Sequence, residues 1–208
     1  MLAWGPFFWS VAKLDNAKDI YSSIFTYFIL IGIFVALSIS VLSKEVLSIM
    51  ATPPFYSAYK IVPLIAFSYI LLGCFSILAV GIGIKKKTKW IPLITGIGAI
   101  ANLGLNYLLI PLYGMVGAAI ATLLSYSLLP IGSYLVSRRY YVVSYEWSRV
   151  IKILVVASLI YVGCYFSPTV FIKVPILLTY PILLYLFKFY HPDELTKAWA
   201  ILSRKKVI

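Results

Sequence analysis

The sequence is poor in acidic residues and in the residue types that carry most enzyme chemistry. Its 208 residues include six aspartates and glutamates, one histidine and two cysteines, and only 12% are charged. The hydrophobic fraction is 62% and the mean hydropathy is +1.00. A soluble domain has about half apolar and about a quarter charged residues. The composition therefore excludes a soluble globular enzyme, a disordered chain and a collagen-like rod, and it predicts a membrane protein.

The cysteines and the histidine indicate no site of their own. Cys74 and Cys164 lie in apolar runs without a metal-ligand or redox spacing, so we interpret both as packing residues. His191 falls at a predicted membrane interface, where an interfacial or capping role is expected. No predicted spanning segment has an Asp, Glu or His in its interior, where such groups usually mark proton relays, ion sites or catalysis. We expect no enzyme activity, no bound metal and no cofactor.

Six apolar runs are long enough to cross a bilayer, whose hydrocarbon core of roughly 30 Å needs about 20 helical residues. Each run is continuously apolar rather than alternating, which favours helices over the strands of a membrane β-barrel. The predicted fold class is an all-α, polytopic membrane helix bundle with about six transmembrane helices. The predicted spans are residues 21–42, 61–84, 91–110, 115–136, 150–166 and 174–190.

Three other stretches have apolar patterns too short to span. Residues 1–12 read as the tail of a helix that begins upstream, so we expect the C-terminal part of a longer protein or a start at an internal Met. Residues 43–50 predict a short surface helix capped by Ser43, which Pro53 and Pro54 would end. Residues 191–208 predict a short basic helix lying on the inner leaflet.

Basic residues give the bundle an orientation. The net charge of +12 suggests a nucleic-acid partner in a soluble protein, but in a membrane protein Lys and Arg collect in cytoplasmic connections. Six crossings divide the basic residues into fifteen on one side and three on the other, Lys44, Lys60 and Lys173. The larger set predicts a multi-pass protein of the plasma membrane with a cytoplasmic C-terminus and no nucleic-acid partner. Its members are Lys13, Lys18, Lys85, Lys86, Lys87, Lys89, Arg138, Arg139, Arg149, Lys152, Lys188, Lys197, Arg204, Lys205 and Lys206.

The third and fourth predicted helices carry the most informative polar and small residues. Asn102 and Asn106 are four residues apart and so share one helix face. Two interpretations stay open for them, an interhelical hydrogen bond and a polar patch on a substrate path, to which Tyr107 would add its hydroxyl. After a predicted outward turn at residues 111–114, small residues recur at the spacing that lets helix backbones approach closely. The expected packing residues are Gly114, Gly117, Ala118 and Ala121.

Two basic clusters border these helices. Lys85, Lys86, Lys87 and Lys89 precede the third predicted helix, and Arg138 and Arg139 follow the fourth. One interpretation is that they set topology and contact anionic membrane lipids. The other is that they attract a phosphate-bearing lipid headgroup, a signal of low specificity.

The segment from Asn102 to Thr122, NLGLNYLLIPLYGMVGAAIAT, resembles a signature of the polysaccharide-biosynthesis flippases. These are the O-antigen and teichoic-acid exporters of the multidrug/oligosaccharidyl-lipid/polysaccharide exporter superfamily. The order of an aromatic AWGPFF segment, a helix ending in SKEVLSIM and a helix ending in KKKT is also similar to theirs. The resemblance covers residues 1–137 well and the last two helices only generally.

The resemblance implies two pseudo-symmetric lobes that flip a polyprenyl-diphosphate-linked oligosaccharide by alternating access. Residues 21–136 resemble the C-terminal lobe, preceded by residues 1–20 and followed by two further helices in 137–190 and the tail 191–208. The expected partners are membrane lipids, the lipid-linked oligosaccharide, and a missing N-terminal lobe or a partner chain. On this basis Asn102, Asn106 and Tyr107 are the expected contacts on the substrate path, and the two basic clusters are the expected headgroup contacts.

Other functions stay open from the sequence. A multidrug exporter of the same superfamily would have an intramembrane acid in its other lobe and would respond to cationic drugs. A non-transporting protein, either a truncated remnant or a subunit of a glycan-synthesis complex, is the third alternative. A membrane enzyme is the most distant one, because the spans lack acid and base residues.

Overall fold

The computed structural model describes residues 4–167 and 169–190, with side chains described from Phe8 onward. All regular secondary structure in these ranges is helical, which confirms the all-α class. The interfacial helix predicted for residues 191–208 lies outside the described ranges. The helices are α1 (Trp4–Val11), α2 (Ala17–Met50), α3 (Val62–Leu78), α4 (Val80–Ile84), α5 (Trp90–Tyr140), α6 (Trp147–Tyr165), α7 (Val170–Leu178) and α8 (Tyr180–Leu186), and a 3₁₀ segment covers Pro53–Lys60.

Long apolar helices confirm a multi-pass membrane protein. Within the described ranges, four helical segments are long and apolar enough to cross a bilayer, namely Ala17–Met50, Val62–Ile84, Trp90–Tyr140 and Trp147–Tyr165. The first, at 34 residues, is longer than the predicted span, because it begins four residues earlier at Ala17 and because residues 43–50 continue it instead of forming a separate surface helix. That prediction was therefore wrong. The helix ends at Met50, three residues before Pro53, and the following Ala51 has an extended backbone.

The 51-residue helix α5 is two spans joined by a sharp reversal. At about 1.5 Å per residue a straight helix of this length would measure about 77 Å, far more than a bilayer. Gly114 alone departs from helical geometry, with φ 54° and ψ −130°, the first corner of a type II′ turn. Of the residues 111–114 predicted to form a turn, only Gly114 has non-helical dihedral angles. Pro111 is still part of the helix that precedes the reversal. The two arms, residues 90–113 and 115–140, are each long enough to span.

The two arms of α5 pack antiparallel along their whole length. Near the reversal, a Cβ added at Gly117 would collide with the carbonyl oxygen of Leu109. Further along, a Cβ at Gly98 would lie 2.7 Å from the Leu129 side chain. At the far end, the Trp90 indole N–H donates to the Tyr140 hydroxyl at 3.2 Å. Glycine at two of these levels lets the two arms approach closely. The small-residue spacing predicts this for Gly117, whereas the close contact at Gly98 was not predicted.

The described chain forms two compact units that divide after Trp147. In the first unit, α3 packs against α2 and α5, and Phe8, Tyr21, Val80 and Val143 share one buried cluster.

In the second unit, the predicted span 174–190 is two short helices, α7 and α8, broken at Thr179. Lys152 Nζ donates to the Lys188 carbonyl at 2.9 Å, and the Arg149 guanidinium lies 4.3 Å from the centre of the Phe189 ring. Three basic residues predicted to share one side of the membrane therefore lie at one end of this unit.

We expect Gly114→Ala to lower the stability of the first unit by about 1–3 kcal/mol, because an alanine at this φ and ψ is strained. Gly104→Ala is the matched control: Gly104 lies within the first arm, ten residues before the reversal, and a Cβ at either glycine would meet no described atom within 4 Å. The control should stabilise by about 0.5–1 kcal/mol, since Gly104 has helical geometry. Thermal unfolding of the purified protein in detergent measures both. Equal effects of the two substitutions would show that the reversal does not depend on glycine.

Candidate functional site

Asn102 and Asn106 form an amide pair on the first arm of α5. The Asn106 Nδ2 group donates to Asn102 Oδ1 at 3.0 Å, and both side chains are half-buried. The hydrogen bond runs within one helix, so it is not the interhelical bond that was one of the two expectations. Asn106 Oδ1 is buried without a hydrogen-bond partner in the described ranges. A buried amide oxygen without a donor is costly, so a donor from a ligand, a water or another helix would stabilise it.

The amide pair lies in the middle part of the first arm of α5, far from both of its ends. Asn102 is twelve residues from Trp90, which places it about 18 Å along the helix from that end. Half of the hydrocarbon thickness is roughly 15 Å. Tyr107 is one residue beyond Asn106 and so points about 100° away around the helix axis, and its side chain is 83% exposed. The structure therefore brings the two asparagines together and separates Tyr107 from them.

The expected packing residues have different roles in the structure. Gly117 and Ala121 are buried, and Ala118 is half-buried. Gly114 is exposed, and a Cβ there would meet no described atom within 4 Å, so its expected packing role was wrong. Its sequence spacing suggested a packing contact, whereas its backbone geometry makes it the reversal itself.

The basic clusters of the first unit lie at one end of it, which we call the cationic end. Gly81, the second residue of α4, donates its N–H to Ser137 Oγ at 2.8 Å and so holds the Lys85–Lys89 turn beside the end of α5. The Lys18 ammonium lies 5.4 Å from the centre of the Tyr141 ring. All the charged groups of this end are exposed. They are eight cations, Lys13, Lys18, Lys85, Lys86, Lys87, Lys89, Arg138 and Arg139, and two carboxylates, Asp15 and Asp19.

Lys86 occupies a position that usually requires glycine. Its φ is 53°, the Lys87 N–H donates to the Ile82 carbonyl at 2.9 Å, and the Lys86 N–H donates to the Gly83 carbonyl at 2.9 Å. These two bonds define the Schellman motif, in which the C′ residue adopts the left-handed conformation. Lys188 has the same motif at the end of α8, with φ 52°.

A non-helical linker, residues 141–146, carries contacts that the sequence did not predict. Ser22 Oγ donates to the Ser144 carbonyl at 2.8 Å, and Thr26 Oγ1 donates to Glu146 Oε2 at 2.7 Å. Thr26 is fully buried and lies about 12 Å along α2 from Lys18. Glu146 falls outside every predicted apolar span, so the sequence indicates no contact between it and a spanning helix. Only the path of the linker beside α2 brings this carboxylate against a residue of the first span.

Aromatic rings enclose the same linker. Tyr145 packs on Phe25 and Trp147 at ring-centre distances of 4.9 and 6.1 Å, and Tyr134 adds to the cluster. Burial raises the pKa of Tyr145 above its ordinary value, and the neighbouring Tyr134 and Tyr141 raise it further. Burial also raises the pKa of Tyr141. Both phenols therefore stay neutral at physiological pH and do not offset the positive charge of the cationic end.

We compared the chain with protein families, with curated proteins and with solved structures. No family model, no curated protein and no solved structure matches the chain. Among the described residues, no group of three or more His, Cys, Asp and Glu side chains is placed to hold a metal ion. The candidate functional site consists of the amide pair, the cationic end and the apolar helices that connect them.

We expect Ser137→Ala to destabilise the protein by about 1–3 kcal/mol, because it leaves the buried Gly81 N–H without its acceptor. Ser133→Ala is the matched control, since this buried serine lies one helical turn earlier and its Oγ has no partner in the described ranges. We expect Ser133→Ala to leave the stability of the protein unchanged or to raise it. Thermal unfolding in detergent separates the two, and equal effects would show that the Gly81 contact does not hold the cationic end together.

Proposed function

We propose that this chain is one lobe of a flippase that moves a polyprenyl-diphosphate-linked oligosaccharide across the plasma membrane. The observation that supports this most is the Asn102–Asn106 amide pair, which lies about 18–24 Å from the Trp90 end of the α5 hairpin. The reversal of that hairpin falls on Gly114, within the segment that resembles the exporter signature.

The proposed mechanism follows from the cost of moving a polar headgroup through hydrocarbon. A diphosphate-sugar headgroup cannot cross unaided, because burying charge and hydroxyl groups without partners is very costly. The amide pair offers hydrogen-bond partners to sugar hydroxyls at mid-membrane, and the unpartnered Asn106 Oδ1 gains a donor from them. Lys85, Lys86, Lys87, Lys89, Arg138 and Arg139 attract the phosphate groups at the membrane surface, while the lipid tail stays in the bilayer.

A second lobe completes the path in this proposal. The first arm of α5 exposes large apolar side chains on the side of Tyr107, including Ile100 at 73% and Leu103 at 71% exposure. The second lobe, in the same protein or in a partner chain, faces the amide pair, and the two alternate between inward-open and outward-open arrangements.

The test of the substrate path is the double variant Asn102→Leu, Asn106→Leu. We expect export of lipid-linked oligosaccharide to fall by about tenfold or more, since each lost hydrogen bond is worth about 1 kcal/mol. Thr95→Val is the matched control: it removes a polar group from the same arm, but the Thr95 hydroxyl already bonds its own helix at Ile91 and Pro92. Appearance of the saccharide in the outer leaflet of membranes carrying the full transporter is the measurement.

Each outcome of this test decides between functions. Full export by the double variant, with protein levels equal to those of the control, would overturn the proposed substrate path. Full export together with lost resistance to cationic drugs would favour the multidrug exporter instead. No export by the parent protein in any of these membranes would favour the non-transporting subunit.

The proposed orientation places the cationic end in the cytoplasm, following the positive-inside rule. We therefore expect Lys60→Cys to react with a membrane-impermeant thiol reagent in intact cells, and Lys86→Cys to react only after the cells are opened. Both lysines are exposed, and the native Cys74 and Cys164 are buried, so the parent protein is the blank. Labelling of Lys86→Cys in intact cells would reverse the orientation.

A further inference from the structure

Lys86 is held in a backbone conformation that a lysine adopts only at a cost. Its φ of 53° lies in the left-handed region, which is unfavourable for residues with a Cβ and is usually occupied by glycine at this helix position. The two hydrogen bonds of the Schellman motif are backbone bonds, so glycine would make them equally well. The lysine side chain therefore gives the turn no stability that explains its presence, and what it adds is a positive charge.

That charge belongs to a surface with a large excess of one sign. The cationic end exposes eight cations against two carboxylates, and the half-buried Tyr141 and Tyr145 are neutral at physiological pH. The surface also lies where apolar helices end, and the Trp90 indole bonded to the Tyr140 hydroxyl marks it as the level of the lipid headgroups. The groups that face this surface in a membrane are phosphates.

We infer that the cationic end is a binding surface for anionic glycerophospholipids, with Lys86 as one of its contacts. Bulk phospholipids are present in the leaflet around the helices at all times, so they occupy this surface whether or not a transport substrate is present. Juxtamembrane lysines attract anionic headgroups within a Debye length of the surface. This lipid binding does not depend on the proposed transport, because it occurs in the absence of a transport substrate.

The experiment separates the charge of Lys86 from its backbone conformation. The purified protein is placed in nanodiscs of phosphatidylcholine with phosphatidylglycerol, and native mass spectrometry measures phosphatidylglycerol binding. Lys86→Gly removes the charge and relaxes the turn, Lys86→Gln removes the charge and keeps the strain, and Lys86→Arg keeps both. We expect the Gly and Gln variants to bind phosphatidylglycerol about fivefold more weakly and the Arg variant to bind it like the parent.

Stability provides the internal control for folding. Lys86→Gly should unfold at a higher temperature than the parent, so weaker lipid binding by this variant cannot be attributed to misfolding. The control Lys60→Gln removes one charge from an exposed lysine of the 3₁₀ segment, outside the cationic end, and should weaken binding less than the Lys86 variants do. Parent-like binding by both Lys86→Gly and Lys86→Gln would overturn the inference.

A second measurement distinguishes phospholipid from other phosphate compounds. Inorganic pyrophosphate serves as a probe for the diphosphate of a lipid-linked substrate, at an ionic strength matched with sodium chloride. We expect phosphatidylglycerol to remain bound at the pyrophosphate concentration used, because the phospholipid is also held by its tails in the bilayer. Displacement by pyrophosphate, and not by the matched salt, would show a general diphosphate site and would contradict the assignment to phospholipid.

Discussion

The close antiparallel contact between the two arms of α5 is the constraint on which the rest of the first unit depends. In a bilayer there is no hydrophobic force between helices, so association relies on van der Waals contact and on few polar bonds. Gly114 reverses the chain, and Gly117 lets the second arm lie against the Leu109 carbonyl. This hairpin places the amide pair in the middle part of its first arm and brings Trp90 and Tyr140 to the same end.

The ends of the helices are joined by hydrogen bonds that compensate for breaks in regular structure. Helix α4 begins after the irregular Ala79, so the Gly81 N–H belongs to the first turn, which has no acceptor within the helix. Ser137 supplies that acceptor, and the contact draws the lysine turn toward Arg138 and Arg139. One serine thus satisfies a backbone group and also concentrates positive charge.

The sequence predicted the helical class, the apolar spans and the clustering of basic residues, because each depends on composition over a long window. It also predicted that Asn102 and Asn106 share a face, which requires only the helical period. It did not predict that α2 runs through residue 50, since the helix continues across Ser43, which resembles a cap. The role of Gly114 and the contact of Thr26 with Glu146 depend on backbone dihedrals and on a linker path that no residue period encodes.

The two polar features of the first unit have opposite relations to the membrane, and in the proposed transport path each has a different part. The cationic end is exposed at the interface, where charge is hydrated and phosphate is abundant. The amide pair is half-buried at mid-membrane, where a neutral amide costs far less than a charged group. Under the proposed function, a headgroup that moves between them exchanges ionic contacts for neutral hydrogen bonds. The proposal then requires counter-charges for the phosphates from a second lobe, because the amides supply none.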